Sequence, residues 1–249
     1  MDFAPKKSLG QHWLVSEGHV RKIVDAVGDA RGILEIGPGK GILTAPLSAK
    51  APVIALELDP RMAEATLRAA PNAEVITGDV LTADIGGLLD SLERPVAVVS
   101  NLPYYITAAV VSRLIEVSER FDIAVLMMQE EVANKLMAEA GNARRGSLSV
   151  AVQRHFVIES VTKVPPGAFN PPPKVDSRVL RLVSKGVPVD KSLEALVRKG
   201  FTQPRKTLAN NLGNREIIER AGLSPSGRPH QLLEEDWVLL GQLARSPKS

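Results

Sequence analysis

The chain has no cysteine among its 249 residues. That excludes disulfides, Fe–S clusters, thiolate zinc sites and thiol nucleophiles. It also lacks any run approaching the roughly 18–20 apolar residues of a membrane span. The opening segment has two lysines, Lys6 and Lys7, but no apolar stretch follows them, so no secretory signal is expected. There is no internal repeat and no low-complexity tract. These absences fit a cytoplasmic protein. What remains is ordinary globular composition, 44% hydrophobic and 24% charged, long enough for one large domain and a small second one.

The net charge of +3 conceals an asymmetry. Residues 1–140 hold 13 Lys and Arg against 19 Asp and Glu, whereas residues 141–249 hold 18 against 9. A basic C-terminal half beside an acidic N-terminal one suggests a polyanion gripped from one side, with a basic solvated surface as the alternative on charge alone.

From residue 32, short apolar runs alternate with helical patterns. The expected strands are Gly32–Ile36, Val53–Leu58, Glu74–Thr77, Val96–Val99 and Ile123–Met128. The helices between and after them are Gly41–Ala49, Pro60–Ala70, Gly86–Leu92, Thr107–Val117 and Glu130–Ala140. Apolar runs without polar alternation suit strands buried on both faces of a parallel sheet. Their alternation with helices predicts an α/β, doubly wound, Rossmann-like fold. An amphipathic helix is expected over Ser16–Val27, with Ser16 as its N-cap. Ser147–Ile158 and Val175–Val183 read as two further strands, joined by a Pro/Gly-rich loop. The pattern then turns helical. The domains are expected at 1–184 and 185–249, the second small and helical.

The first strand runs into Glu35-Ile36-Gly37-Pro38-Gly39-Lys40-Gly41. Glycines at a strand-to-helix turn permit positive φ and close approach of a ligand. The third glycine comes one residue too early for a dinucleotide fingerprint, and there is no Walker Lys–Ser pair. A nucleoside without a diphosphate is therefore the expected ligand. The spacing is more informative: Glu57 follows Gly37 by 20 residues, Asp79 follows Glu57 by 22, and Asn101 follows Asp79 by 22. Each falls at the C-terminal end of an expected strand, where open α/β sheets bind ligands. Glu57 is placed for ribose hydroxyls and Asp79 for the amino group of an adenine. In Asn101-Leu102-Pro103-Tyr104, the proline biases Leu102 toward an extended conformation. Asn101 and the Leu102 carbonyl then offer acceptors beside the flat face of Tyr104, which suits a planar base bearing an amino group.

Across nearly its whole length the chain resembles the small-subunit ribosomal RNA adenine dimethyltransferase (KsgA) family. The resemblance lies in Lys7–Leu14, Glu35–Gly39, Ala55–Asp59, Gly78–Val80, Asn101–Ile106, Gln129–Ala133, Phe169–Ser177 and Arg205–Leu208. It implies S-adenosylmethionine as methyl donor, bound by His12, Leu14, Gly37, Glu57, Asp79 and Asn101, with no metal. It implies that Asn101, Pro103 and Tyr104 hold the target adenine, with Phe169 stacking on its other side from an exposed position. The implied reaction is N6,N6-dimethylation of two adjacent adenosines in the 3′-terminal hairpin loop of 16S rRNA, within the small-subunit precursor. The enzyme is expected to act as a monomer, with no membrane partner. Lys6, Lys7, Arg144, Arg145, Lys174, Arg205 and Lys206 are the candidates for phosphate contact.

Without cysteine, neither a thiol-dependent pyrimidine C5 methylation nor a radical Fe–S methylation is open to the chain. The target should be a nitrogen. A 23S rRNA methyltransferase of the macrolide-resistance type shares this fold and site, and a non-catalytic assembly factor is the alternative of a different class. The chain also departs from the family pattern. His12 replaces Asn, Trp13 replaces Phe, the segment 140–147 is shortened, and Thr202-Gln203-Pro204-Arg205 is less basic than usual.

Overall fold

The structure is a computed structural model, and it describes residues 12–245. Lys6 and Lys7 lie outside the described residues. In chain order, the first half consists of β1 (Trp13–Leu14), α1 (Glu17–Ala26), β2 (Gly32–Ile36), α2 (Thr44–Ser48), β3 (Val53–Glu57), α3 (Pro60–Ala69), β4 (Glu74–Thr77), α4 (Ile85–Asp90), β5 (Val96–Asn101) and α5 (Thr107–Glu116). There follow β6 (Ile123–Gln129), α6 (Glu130–Leu136), α7 (Ser147–His155), β7 (Phe156–Val164), β8 (Phe169–Asn170) and β9 (Ser177–Ser184). The chain ends in α8 (Lys191–Gly200), α9 (Leu208–Leu212), α10 (Arg215–Arg220) and α11 (Glu234–Arg245).

Seven strands form one sheet in the order β4-β3-β2-β5-β6-β9-β7. The first five are parallel, while β9 runs antiparallel to both β6 and β7. Every residue of β2 and β3 is buried, the carboxyls of Glu35 and Glu57 included, as expected of strands covered on both faces. Because β2 pairs with β3 on one side and β5 on the other, the strand order reverses at β2. A crevice opens at the carboxyl ends of the strands where such a reversal occurs. A separate two-stranded sheet pairs β1 with β8 in antiparallel register, Trp13 opposite Asn170 and Leu14 opposite Phe169.

The chain divides into two compact units. One contains described residues 12–133 and 156–187; the other contains 134–155 and 188–245. The second thus includes a mid-chain segment that a single boundary at 184/185 leaves out. Its core gathers Val150 from α7 with Leu193, Val197, Phe201, Leu208, Leu212, Ile218 and Trp237. Trp237 packs so closely on Gly200 that no side chain fits there.

Several expectations need correction. Ser147–Ile158 is not one strand: it forms helix α7 and only then turns into β7. Its Ser-Val-Ala-Val run imitates strand alternation, and a short apolar run cannot settle the choice by periodicity. The Ser149 hydroxyl anchors the start of the helix. The Gly146 N–H donates to Ser149 Oγ at 3.0 Å, and that hydroxyl donates to the Lys135 carbonyl at 2.6 Å. Helix α2 begins at Thr44 instead of Gly41, because Gly41 has φ +77°. Ser16 does occupy the N-cap of α1, but its hydroxyl bonds His19 Nδ1 at 2.8 Å instead of capping the helix.

The most consequential correction concerns Phe169, expected as an exposed platform. It is only 4% exposed and belongs to the apolar core with Leu14, Val164 and Ala168. Pairing of β8 with β1 places it under the arm, where its ring has more apolar surface to meet than water. Phe169→Ala should therefore destabilise the fold by about 3–5 kcal/mol, the cost of emptying a buried aromatic site. Denaturant unfolding checks this, and a variant as stable as the parent would return Phe169 to the surface.

Candidate active site

The site grows from the loop after β2. Gly37, Gly39 and Gly41 adopt φ of +69°, +61° and +77°. A Cβ on Gly37 would meet nothing within 4 Å, so the backbone there is open to a ligand. A Cβ on Gly41 would lie 2.8 Å from Ala69 Cβ, so that glycine serves packing against α3.

Glu57 ends β3 and is 7% exposed. Its Oε2 accepts from the Gly39 N–H at 3.0 Å and its Oε1 from the Asp59 N–H at 2.9 Å. One carboxylate thus fixes the glycine loop and the entrance of α3, while each oxygen keeps a further lone pair. Asp79 follows β4, and its Oδ1 accepts from the Leu81 N–H at 2.9 Å. At the end of β5, Asn101 Nδ2 donates to the His12 carbonyl at 3.1 Å. That bond leaves Oδ1 as the acceptor end of the amide.

The arm around His12 is held at several points. His12 Nδ1 donates to the Pro171 carbonyl at 2.8 Å, and the Val15 N–H to the Ala168 carbonyl at 2.8 Å. The His12 ring stacks on Tyr104, with centroids 5.8 Å apart and planes 23° from parallel. Tyr104 is anchored by a 2.8 Å bond between its hydroxyl and Ser177 Oγ. Burial raises its pKa, with the Ser177 hydroxyl acting in the opposite direction, so the phenol stays neutral. Trp13 covers Gly39, where a Cβ would come within 3.3 Å of the indole, and the Lys40 ammonium sits 3.9 Å above the indole ring.

A single open cleft brings together His12, Gly37, Glu57, Asp79, Asn101, Pro103 and Tyr104. Leu14 is buried in the core and lines a neighbouring cavity together with Glu35 and Asn170. Phe169 lines neither. Trp13, Leu58 and Tyr105 also line the main cleft, although sequence reasoning gave them no role there. Adjacency to His12, Glu57 and Tyr104 was the only available signal.

The basic candidates separate. Arg144, Lys174, Arg205 and Lys206 are exposed. Arg145 is not available for phosphate: it is 6% exposed and donates to the Ala138 carbonyl and to Gln153 Oε1. Burial lowers its pKa, which Glu234 and Glu139 oppose. The guanidinium thus ties the segment around Arg145 to Ala138 and Gln153 within the second unit. Among the described residues there is no cluster of metal-ligating side chains.

Glu35, within β2, is 1% exposed, and its Oε2 has no hydrogen-bond partner among the described residues. Burial pushes its carboxyl up from 4.5 to about 7; the nearby Thr44 hydroxyl opposes the rise and the Glu57 charge adds to it. The native fold therefore favours the protonated form. Its contribution is full below pH 4.5 and is lost as pH rises toward 7. Glu35→Gln, which cannot ionise, should be more stable than the parent at pH 8 by up to about 3 kcal/mol. The two should converge near pH 5. Denaturant midpoints at both pH values test this, and parallel pH profiles would show that another group titrates.

Comparison with known proteins agrees with this geometry. The ribosomal RNA adenine dimethylase family matches residues 3–224. Ribosomal RNA small subunit methyltransferase A of Bacillus thuringiensis is 38% identical, over 96% of this chain and 90% of its own. The crystal structure of a dimethyladenosine transferase from Plasmodium falciparum is similar with a TM-score of 0.80 and 26% identity, covering 92% of this chain and 96% of that one. The 23S rRNA methyltransferase ErmE is similar with a TM-score of 0.69 and 28% identity, covering 93% and 98%. Matched over most of its length in sequence and in fold, the chain belongs to the ribosomal RNA adenine dimethylase family.

Proposed function

We propose that the chain uses S-adenosylmethionine to dimethylate N6 of two adjacent adenosines in the 3′-terminal hairpin loop of 16S rRNA, acting as a cytoplasmic monomer on the small-subunit precursor. One observation carries the reading: Glu57, Asp79 and Asn101, from three strands of one parallel run, line a single cleft with the open backbone of Gly37. The donor set fits the cofactor. The free lone pairs of Glu57 suit two ribose hydroxyls, and the second carboxylate oxygen of Asp79 suits the amino group of the cofactor's adenine. When bound, the cofactor supplies a methyl group activated on a sulfonium.

The residues of the chain then have an orienting task. The target amino nitrogen is a weak nucleophile because its lone pair is delocalised into the ring. Hydrogen bonds from that amine to Asn101 Oδ1 and the Leu102 carbonyl localise the pair and aim it, while Tyr104 offers its face to the base. Pro103 disfavours the helical region for Leu102, which helps aim that carbonyl. Positioning and fixed dipoles supply the catalysis, with no covalent intermediate on the protein. Arg144, Lys174, Arg205 and Lys206 are proposed to meet phosphates. The charge asymmetry of the sequence supports that role.

The likeness to ErmE keeps a 23S rRNA substrate in view, but the fold match to the dimethyladenosine transferase is higher, TM-score 0.80 against 0.69. Labelled methyl transfer to undermethylated small-subunit particles, with 23S rRNA in parallel, separates the two. Dimethyladenosine only in the small-subunit sample is expected; label only in 23S rRNA would reverse the assignment. Glu57→Ala removes acceptors from the ribose and from two loop amides, and hydrogen bonds to charged groups are worth about 1.5–3 kcal/mol. Cofactor binding should weaken by roughly 10–100-fold. An unchanged dissociation constant by calorimetry would take Glu57 out of the ribose role.

A further inference from the structure

Tyr104 and Tyr105 are consecutive, yet the fold treats them oppositely. Tyr104 is committed inward, its hydroxyl on Ser177 and its ring against His12. Tyr105 lines the same cleft but is 59% exposed, and it is the one aromatic among the exposed large hydrophobic side chains of the described residues. Its side chain makes no hydrogen bond or ring contact there. A bare aromatic ring at the mouth of a cleft offers a flat apolar face on which a planar base can stack. Leu58, also exposed on this cleft, offers apolar surface but no flat face.

The proposed reaction, on which this inference rests, modifies two adjacent adenosines. While one base occupies the cleft beside Asn101, its neighbour lies one nucleotide away, at the mouth. Phe169 is buried and cannot receive it. We infer that Tyr105 is a positioning residue for the reaction, a stacking platform that holds the adenine next to the one being methylated. The two tyrosines would then present faces to two successive bases. Exchange of the bases between the two positions would let both adenosines reach Asn101 without release of the hairpin.

The test uses the full-length protein and a synthetic hairpin carrying 2-aminopurine at one of the two adenosine positions, whose fluorescence is quenched by stacking. With the parent protein and cofactor, binding should change the quench of the neighbouring base. Tyr105→Phe should keep that change, whereas Tyr105→Ala and Tyr105→Leu should lose it. Base–aromatic stacking predicts that these two variants raise the RNA KM roughly tenfold. On small-subunit particles they should also accumulate RNA dimethylated at a single adenosine. Cofactor affinity and melting temperature should stay at the parent values. Parental quenching and parental product ratios in Tyr105→Ala would overturn the inference while leaving the proposed function intact. Equal loss in Tyr105→Phe would overturn it too, since the phenyl face remains. Failure of the parent protein to methylate small-subunit particles would remove the proposed function and this inference together.

Discussion

The hydrogen bond from Asn101 Nδ2 to the His12 carbonyl commits the donor end of that amide to the arm and leaves its oxygen as the end able to accept. An unrestrained asparagine presents donor and acceptor with equal ease, and only the acceptor can engage an amino group. The His12 backbone in turn is set by the bond of its ring to the Pro171 carbonyl, by the stack on Tyr104 and by the β1–β8 pairing. The arm is therefore part of the site's geometry as much as a cover over it. Glu57 plays the corresponding part at the other end of the cleft, where one carboxylate ties the glycine loop to the start of α3.

Much of this was legible in the sequence because it follows from short-range rules. Strands buried on both faces are predominantly apolar, so β2, β3, β5 and β6 could be read directly, with boundaries within two residues. The regular interval between Gly37, Glu57, Asp79 and Asn101 is one βαβ step repeated, and the structure brings all four to one cleft. What could not be read depends on long-range neighbours. Whether Phe169 faces water is decided by the arm, about 155 residues earlier in the chain, that pairs with it. Whether Arg145 meets phosphate is decided by the Ala138 carbonyl and Gln153, which capture it inside the second unit. The helical state of Ser147–His155 is held by the Ser149 hydroxyl, which reaches the Lys135 carbonyl 14 residues earlier, and by the core that Val150 enters.

The departures from the family pattern are also accommodated locally. Histidine at position 12 contributes its backbone carbonyl to Asn101, as any residue there can, and adds a ring that bonds Pro171 and stacks on Tyr104. Tryptophan at position 13 spreads over Gly39 and meets the Lys40 ammonium on its face. The larger ring thus brings the glycine loop and the arm into one packed unit.

The His12–Pro171 bond joins residues 159 apart in sequence. A chain emerging from the ribosome N-terminus first has Gly37, Glu57, Asp79 and Asn101 in hand long before Pro171 is made. Until that segment arrives, β1 has no strand to pair with and the His12 ring has no carbonyl to bond. The five parallel strands are all made before the partners of the arm exist. Synthesis of the Pro-rich segment is then the step at which the β1–β8 pair and the His12–Pro171 bond first become possible.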